Sequence, residues 1–406
     1  MHIVYIHQFF CTNEGSSGTR SYDVSRHLAS MGHKVTMICG ATEGSGLDRP
    51  HWYKLIQRRR LAGFDLLVCN VPYSQKMSKW GRLAAFLKFA ALATMASVFH
   101  VRRPDVIFTT SLPLTVGIPG YLGGLFHRVP FVFEVRDLYP ETDIIAGYIR
   151  EGSLMERCLS SLERFIYRKA SKILLVSPGF KTRLIERGYP AEKMRVALLG
   201  ADGDIFRNVR PSTNFRAKHG LEGKTVAVYT GAHGTANGLD YVLDAAAILK
   251  DRRDIAFVLI GDGNEKPNLQ RKVRELRLEN VAFVDSIPKT DLPGILAACD
   301  IGLMILRHVG QARPVTPNKI FDYMFAGLPS VVNFEGPTIE MVREDGTGVF
   351  ADPLNPRELA DRVGHWADHR DEAKAVGTRA RQLAYEKYDR RSIAVQLAGI
   401  FEEARR

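Results

Sequence analysis

Cysteine is scarce in this 406-residue sequence, and the motifs of metal centres and disulfide frameworks are missing. The five cysteines are scattered, with no C-x-x-C pair and no histidine spacing typical of zinc. The N-terminal run MHIVYIHQFF is too short for a signal peptide and lacks a basic segment before it, so we interpret it as a first strand. These absences favour a reducing compartment and predict no metal site.

Long hydrophobic runs are missing as well. The most apolar stretch, residues 80–101, is interrupted by Arg82 and Lys88. A lysine at the centre of a membrane span costs about 2.5–3.5 kcal/mol, so we expect a poor span. Two interpretations remain, a buried core helix or an interfacial helix. The basic residues close to this stretch are Arg58, Arg59, Arg60, Lys76, Lys79, Arg102 and Arg103.

Acidic residues are scarce in the first half of the chain. Residues 1–200 hold 27 Lys and Arg against 15 Asp and Glu, whereas residues 201–406 hold 29 of each, so the net charge of +12 comes from the first half. The excess indicates nucleic acid, an anionic membrane surface or a diphosphate-bearing acceptor as a partner, unless it is a solvated surface without one. No helix-turn-helix or RNA-binding signature is present, which argues against nucleic acid.

Short apolar strand segments alternate with helical segments along the chain, which predicts an α/β fold with doubly wound domains. We assign residues 1–206 and a returning C-terminal helix, residues 390–406, to an N-terminal domain. Residues 207–389 form the predicted C-terminal domain, which begins with a polar, irregular linker. The loop from Gly15 to Gly18 lacks the G-x-G-x-x-G spacing and is a weak signal by itself.

The stretch RPVTPNKIFDYMFAGLPSVVNFEGPTIEMV carries the strongest chemical signal. Thr316 precedes Pro317 as an N-cap precedes a proline in the first turn of a helix. Asn318 and Lys319 follow, so free backbone N–H groups, the positive helix end and an ammonium group converge, which suits a phosphate. A second helix begins after Gly336, and both helices start on the side of a parallel sheet where open α/β sheets bind ligands.

The pattern T-P-N-K-I-F-D-Y-M-x-A-G-x-P, followed by E-G-P-x-x-E-M-V, resembles the donor-binding signature of retaining glycosyltransferases of family 4. It is most similar to the branch that builds bacterial surface polysaccharides, such as lipopolysaccharide and capsule, and that includes L-fucosamine transferases. The resemblance implies the GT-B fold, in which two Rossmann-like domains face each other across a cleft. It also implies that Thr316 to Lys319 hold the donor pyrophosphate and that Asp322 contacts the ribose. The sequence departs from the family at Pro314, where a glutamate near the donor sugar is expected.

Other loops complete the expected donor site. Arg20 lies in the first turn of a helix, where a cation is unfavourable unless an anion is nearby, so we expect an anion there. Family members often place Arg and Lys after the first strand of the second domain, where this chain has Ala232 and Asn237; we expect Arg307 and Lys319 to replace them. The predicted donor-binding residues are Gly15, Gly18, Arg20, Gly231, Gly261, Ser286, Ile287, Thr316, Asn318, Lys319, Asp322, Glu335, Gly336 and Glu340.

The segment R-D-L-Y-P-E follows an apolar strand and is similar to the R-D-L-W-P-E segment of the same branch. Asp137 and Glu141 are therefore the candidate catalytic residues on the acceptor side, where a carboxylate can receive the hydroxyl proton. Lys319 and Arg307 are the candidates on the leaving-group side. A structural alternative is an ion pair of Arg136 with Glu134 or Asp137.

The resemblance implies a metal-independent, retaining hexosyltransferase without a cofactor, whose substrate is a nucleotide-diphosphate sugar, first of all a UDP-sugar. An N-acetylated aminosugar and a polyprenyl-diphosphate-linked saccharide acceptor are what the branch suggests. We expect a cytoplasmic protein at the inner face of the plasma membrane, in contact with anionic lipid. Two alternatives are a nucleotide-sugar 2-epimerase of the same fold, which needs no acceptor, and a non-catalytic binding subunit.

Overall fold

The computed structural model of the protein describes residues 1–15, 18–48, 50–51, 53–74, 77–145, 147, 149–310 and 312–406. The chain forms two compact units, residues 1–198 with 390–406 and residues 199–389. Residues 199–206, which we assigned to the N-terminal domain from the sequence, belong to the second unit here.

The first unit is built on an eight-stranded sheet. Its strands are β1 (His2–His7), β2 (Lys34–Thr42), β3 (Ile56–Leu61), β4 (Phe64–Tyr73), β5 (Val106–Thr110), β6 (Phe131–Val135), β7 (Lys172–Leu175) and β8 (Met194–Val196). Their order is β3-β4-β2-β1-β5-β6-β7-β8, and every pair of neighbours is parallel except β3 and β4. The central strands are buried along their whole length because helices cover both faces of the sheet.

The second unit contains a six-stranded sheet that is parallel throughout. Its strands are β9 (Thr225–Thr230), β10 (Ile255–Ile260), β11 (Val281–Val284), β12 (Ile301–Met304), β13 (Ser330–Val332) and β14 (Gly348–Phe350). They lie in the order β11-β10-β9-β12-β13-β14. A buried cluster of apolar side chains from these strands and from the covering helices forms the core of this unit.

The helices follow the alternation that the sequence predicts. They are α1 (Arg20–Ser30), α2 (Lys79–Met95), α3 (Gly117–His127), α4 (Glu141–Ile145), α5 (Leu154–Lys169), α6 (Pro178–Glu186), α7 (Thr213–Lys218), α8 (Asp240–Ile248), α9 (Lys266–Glu275), α10 (Leu292–Leu296), α11 (Asn318–Ala326), α12 (Pro337–Asp345), α13 (Pro356–Asp368), α14 (Arg370–Lys387) and α15 (Arg390–Arg405). A π-helical turn, Ala96–His100, extends α2. The C-terminal helix α15 packs on the first unit, where Phe401 lies 5.0 Å from Phe108 between ring centroids.

One edge of the first sheet is an antiparallel hairpin of β3 and β4, which turns at Ala62 and Gly63, both with positive φ. The sequence IQRRRL of β3 is strongly basic. It lies at the edge of the sheet, where charged side chains reach solvent and discourage pairing with another chain.

The two sheets share a topology that identifies their ligand-binding edges. In each sheet the first strand, β1 or β9, has its successor on one side and a later strand, β5 or β12, on the other. The loops that leave the carboxyl ends of such neighbouring strands turn in opposite directions and leave a crevice between them. The crevice of each unit is therefore where functional side chains are expected.

Candidate active site

The crevice of the second unit lies between the loops that follow β9 and β12. The backbone N–H of Arg307 donates to the carbonyl of Ala236 at 2.9 Å, which joins the two loops at their outer ends. Arg307 itself is exposed on this loop. The structure therefore brings the predicted Arg307 to the rim of the crevice.

Two glycines in this edge allow a close approach of backbones. Gly231 and Gly261 have φ values of 134° and 145°, and a Cβ on Gly261 would lie 1.9 Å from the carbonyl oxygen of Gly231. Side chains are excluded at both positions. The backbone N–H of His233 donates to the Asp262 carbonyl at 2.9 Å, so the loops after β9 and β10 stack directly on each other.

Helix α11 begins at Asn318 after the extended residue Pro317, whose ψ is 150°. We predicted Thr316 as the N-cap and Pro317 as the first helical residue, so the start lies one residue further along than expected. The displacement follows from the backbone of Pro317, because its ψ is outside the helical range although its φ of −69° is not. Lys319 remains in the first turn, and Gly327 ends the helix with a φ of 77°.

Lys319 is held against an aromatic ring without a counter-charge. Its Nζ donates to the hydroxyl of Tyr229 at 2.9 Å and lies 4.0 Å from the centre of the same ring. The Tyr229 hydroxyl in turn donates to the carbonyl of Ala232 at 3.0 Å. Within the described part of the chain Lys319 forms no ion pair, and burial lowers its pKa to about 7. An ammonium group in this setting gains most from an anionic ligand.

Several polar atoms around this edge are buried and have no hydrogen-bond partner among the described residues. They are both ring nitrogens of His233, the Nε of Arg313 and the Oδ1 of Asn318. Leaving a buried polar atom unpaired costs about 1–3 kcal/mol, so such atoms usually mark a missing partner. Their position near Lys319 indicates a polar ligand.

The loop before α11 and the start of α12 are joined tightly. Thr338 Oγ1 donates to the carbonyl of Val315 at 2.7 Å, and a Cβ on Gly336 would lie 2.2 Å from the carbonyl oxygen of Arg313. Gly336, at φ 125°, is therefore required to be glycine. The side chains of Glu335 and Glu340 are both exposed, and Glu335 lies 3.8 Å from Arg343.

Asp322, which we predicted to contact the ribose of the donor, forms an ion pair within the protein. Its Oδ1 accepts a hydrogen bond from Lys289 Nζ at 2.6 Å, and both side chains are about a tenth exposed. This ion pair ties α11 to the loop after β11, which also carries Ser286 and Ile287. A ribose contact by Asp322 stays a prediction.

In the first unit, Arg20 is fully buried and does not face a ligand. Its Nε and one Nη donate to Glu134 Oε1 at 3.1 and 2.9 Å, and the other Nη donates to the Leu198 carbonyl at 2.8 Å. Thr110 Oγ1 donates to Glu134 Oε2 at 2.6 Å. The anion that we expected beside Arg20 is thus the carboxylate of Glu134. Burial alone would raise the pKa of Glu134, but Arg20 and Arg136 hold it below its ordinary value.

The glycine loop after β1 is only partly described. A Cβ on Gly15 would lie 2.4 Å from the Sγ of Cys11, so this glycine is needed for packing within the loop. Gly18 is exposed before the start of α1. Ser16 and Ser17 lie outside the described residues.

The two acceptor-side candidates differ in their environment. Glu141 accepts from Arg183 at 2.9 Å and lies 3.7 Å from Arg187, so it belongs to a network of ion pairs. Among the described residues Asp137 forms no ion pair with a basic side chain, and burial raises its pKa to about 6. A carboxylate with a pKa near the working pH is suited to general acid–base chemistry. The alternative ion pair of Arg136 with Glu134 or Asp137 does not form among the described residues, and Glu134 pairs with Arg20 instead.

Sequence reasoning missed Tyr229, His233, Arg313 and Lys289. None of them falls in a recognised motif, and the only signal for three of them was their position after a strand or before α11. Tyr229 lies inside β9 and could be found only from its contact with Lys319.

Two glycosyltransferase family models match the chain. Residues 15–200 match the glycosyl transferase 4-like domain, and residues 224–369 match the glycosyl transferases of group 1. Two curated relatives and one solved structure are similar over most of their length. WbjE of Pseudomonas aeruginosa, a probable glycosyltransferase, is 25% identical over 71% of this chain and 72% of its own. WcaI of Escherichia coli K12, a putative colanic acid biosynthesis glycosyl transferase, is 24% identical over 77% of this chain and 78% of its own.

The structure of HepE from Anabaena in complex with UDP and glucose matches 99% of this chain and 100% of its own, with a TM-score of 0.71 and 18% identity. The predicted architecture of two Rossmann-like domains is therefore confirmed, and the protein has the GT-B fold. Its two family matches define it further: the chain belongs to the family 4 glycosyltransferases.

Proposed function

We propose that this glycosyltransferase transfers a sugar from a UDP-sugar to a polyprenyl-diphosphate-linked saccharide, with retention of configuration, and that the sugar is an N-acetylated aminosugar. The observation that carries the donor part is the cation of Lys319, held by Tyr229 at 2.9 Å in the first turn of α11 without a carboxylate partner among the described residues. The free N–H groups of that turn add to the positive potential.

The leaving group is a nucleoside diphosphate that gains negative charge as the sugar–phosphate bond breaks. Lys319, Arg307 and the N-terminus of α11 are fixed donors that stabilise this charge, and fixed donors need no reorganisation during the reaction. In this proposal the chain's own cations supply the positive charge and no metal is required. Gly231 and Gly261 let the diphosphate approach the backbone, and the exposed Ser286 and partly buried Ile287 offer groups for the base.

On the acceptor side, Asp137 takes the proton of the attacking hydroxyl. A pKa of about 6 leaves this carboxylate mostly ionised at neutral pH while it remains a usable base. We give Glu141 a supporting role, since Arg183 and Arg187 already neutralise it.

The membrane part of the proposal rests on α2 and α3. The helical segment Trp80–His100 is long and apolar enough to cross a membrane by length and composition alone, and 33% of its most apolar window is buried. Its outer face exposes Trp80, Leu87 and Phe99, and Phe99 packs edge-on against Phe126 of α3, itself 59% exposed. Lys76, one of the basic residues near the segment, lies outside the described residues. We propose that this face lies on anionic lipid at the inner side of the plasma membrane.

The experiment is mass spectrometry of the products formed from a panel of nucleotide sugars with and without a membrane lipid extract. We expect a glycosylated lipid from one UDP-sugar, formed only when the extract is present. A C2 epimer formed without the extract would instead assign the 2-epimerase alternative, and absence of any product across the panel would favour a binding subunit.

A further inference from the structure

Most arginines near the ligand-binding edge of the first unit are paired with carboxylates. Arg20 pairs with Glu134, and Arg187 pairs with Glu163 at 2.6 Å. Within the described part of this unit, Arg82 and Arg136 form no ion pair. Arg82 lies in the first turn of α2, and Arg136 directly follows β6. Two guanidinium groups at one edge that form no ion pair indicate an anion, although the charge of Arg136 acts on Glu134 and Asp137 and that of Arg82 acts on Asp143.

Arg82 lies beside a cluster of aromatic side chains. Burial raises the pKa of the Tyr73 hydroxyl, at the end of β4, and the Arg82 guanidinium opposes that rise. Phe9 and Phe86 belong to the same cluster, and their ring centroids lie 4.8 Å and 5.7 Å from that of Tyr73. Phe9 and Phe86 are only partly buried, so their rings remain accessible. We call Phe9, Tyr73, Arg82 and Phe86 the Arg82 corner.

A buried amide near this corner lacks a partner. Gln8 directly precedes Phe9, is 0% exposed, and neither end of its amide bonds to a described residue. The cost of burying such a group is about 1–3 kcal/mol unless a ligand or an ordered water completes its bonds. Gln8 is therefore a second sign, independent of charge, that this end of β1 is built for a polar ligand.

The Arg82 corner lies between the candidate base, Asp137, and an exposed apolar surface. Arg82 acts electrostatically on Tyr139 and Asp143, and the charge of Asp143 in turn raises the pKa of Asp137. On the other side, Trp80 and Leu87 of α2 are 77% and 55% exposed. A ligand with a phosphate at Arg82 can thus lay an apolar chain on the outer face of α2 and still direct its sugar towards Asp137.

We propose that the Arg82 corner binds the diphosphate of a lipid-linked acceptor, with Arg82 on the phosphates and Phe9 and Phe86 against the first isoprenoid units. This assignment rests on the proposed function for its place in the reaction, while the binding itself can be tested alone. It explains why a cation without a carboxylate partner stands at the start of an exposed apolar helix. An ester of a diphosphate with an apolar chain uses both features.

The test is a titration of the full-length protein with farnesyl diphosphate below its critical micelle concentration, in saturating UDP so that the donor site is filled. Calorimetry and the fluorescence of Trp80, two residues from Arg82, report binding. We expect farnesyl diphosphate to bind at least tenfold more tightly than farnesol or inorganic pyrophosphate. Arg82→Gln should weaken it by about 10- to 100-fold, the range for a lost charge-assisted hydrogen bond. Arg82→Lys should give an intermediate loss, because it keeps the charge without the bidentate geometry.

The matched control is Lys88→Gln, which removes an exposed charge from the outer side of the same helix and should change affinity less than about twofold. Unchanged affinity in Arg82→Gln, or equal affinity for farnesol and farnesyl diphosphate, would overturn the proposal. Full competition by dihexanoyl phosphatidylglycerol would assign the corner to a phospholipid headgroup instead, and would also overturn it. If the wild type failed to bind UDP, the proposed donor function would fail while the farnesyl diphosphate result still stood.

Discussion

Each unit contains a buried cation, and the two cations differ in the groups that surround them. In the first unit Arg20 is enclosed, and Glu134 and backbone carbonyls of the same unit satisfy its guanidinium. In the second unit Lys319 has a phenol and an aromatic ring as partners but no carboxylate among the described residues. Folding alone satisfies Arg20, whereas Lys319 needs a ligand to balance its charge. In our proposal the same kind of sheet edge therefore serves stability in one unit and binding in the other.

The largest effect is expected from Asp137, which forms no ion pair among the described residues, although the charge of Arg136 acts on it. Asp137→Asn keeps the shape of the side chain and removes its charge, so transfer should fall by about 10²- to 10⁴-fold if Asp137 accepts the proton. Product formation from UDP-sugar and lipid extract measures this. UDP affinity should be unchanged, and Glu192→Gln, an exposed carboxylate of the same unit, should transfer normally. Near-normal transfer by Asp137→Asn would make Asp137 structural and leave Glu141 as the candidate.

Breaking the buried ion pair of Arg20 and Glu134 should lower the stability of the protein and leave its UDP affinity unchanged. Glu134→Gln leaves the buried Arg20 without a counter-charge, and removal of one partner of a buried pair costs about 3–5 kcal/mol. Thermal unfolding of the variant should begin at a markedly lower temperature than that of Glu151→Gln, an exposed control in the same unit. UDP affinity of the folded variant should equal that of the wild type. Loss of UDP binding without loss of stability would return Arg20 to the donor site.

Removing the charge of Lys319 should have the opposite result: UDP affinity should fall and stability should not. Lys319→Met keeps the length of the side chain and removes the ammonium group, so UDP affinity should fall by about 10- to 100-fold, as for other hydrogen bonds to charged groups. Stability should hold or rise, because no carboxylate loses its partner. Calorimetry with UDP and a thermal scan without it measure the two effects. Lys374→Met, at an exposed lysine of α14, is the control, and equal UDP affinity in both variants would contradict the assignment.

The sequence predicted the donor half of this comparison better than the acceptor half. Strand and helix alternation, Gly327 and the first turn of α11 are local features, so the fold class and the place of Lys319 follow from short segments. The pairing of Arg20 with Glu134 joins residues 114 positions apart, and no local pattern distinguishes it from a ligand contact. The same limit applies to Asp322 and Lys289, whose ion pair depends on the loop after β11 reaching α11.

Tyr229 shows a different limit. Its place inside an apolar strand marks it as a core residue, and that interpretation is correct for its ring. Only the tertiary structure reveals that its hydroxyl accepts from Lys319 and donates to Ala232. Aromatic residues with a polar atom at one end often combine both roles, so burial alone does not separate packing from positioning.

The charge state of Lys319 gives a smaller, graded effect. Its pKa of about 7 in the free protein is set by burial. The groups that face it do not supply a negative charge: Tyr229 and Tyr323 have raised pKa values, and the pKa of His233 is lowered to about 4. Asp322, on the same helix, is held by Lys289. A bound diphosphate favours the ammonium form, so the pKa of Lys319 must be higher in the complex than in the free protein.

The sign of the pH dependence follows from that difference. Below about pH 7 Lys319 is already protonated in the free protein, so it adds no further pH dependence. Above pH 7 binding must take up a proton, and UDP affinity should fall by up to about tenfold per pH unit until the pKa of the complex is reached. Calorimetry between pH 7.5 and 9 in buffers of different ionisation enthalpy measures the uptake. The Lys319→Met variant should lack this uptake, and equal proton uptake in both proteins would refute the linkage.

The smallest effect concerns the outer surface of the first unit, where charge and apolar side chains act together. Exposed cations are screened within a Debye length of about 8 Å at physiological ionic strength, so co-sedimentation with anionic vesicles should decrease as salt rises. Phe99→Ser combined with Leu125→Ser removes two side chains that are 73% and 63% exposed, and should weaken vesicle binding by roughly threefold to tenfold. Leu354→Ser, at a leucine of the second unit that is 72% exposed, is the matched control and should bind vesicles as the wild type does. A purely apolar contact does not depend on lipid charge. Equal binding to neutral and anionic vesicles would therefore show that the basic residues of the first half do not contribute to membrane binding.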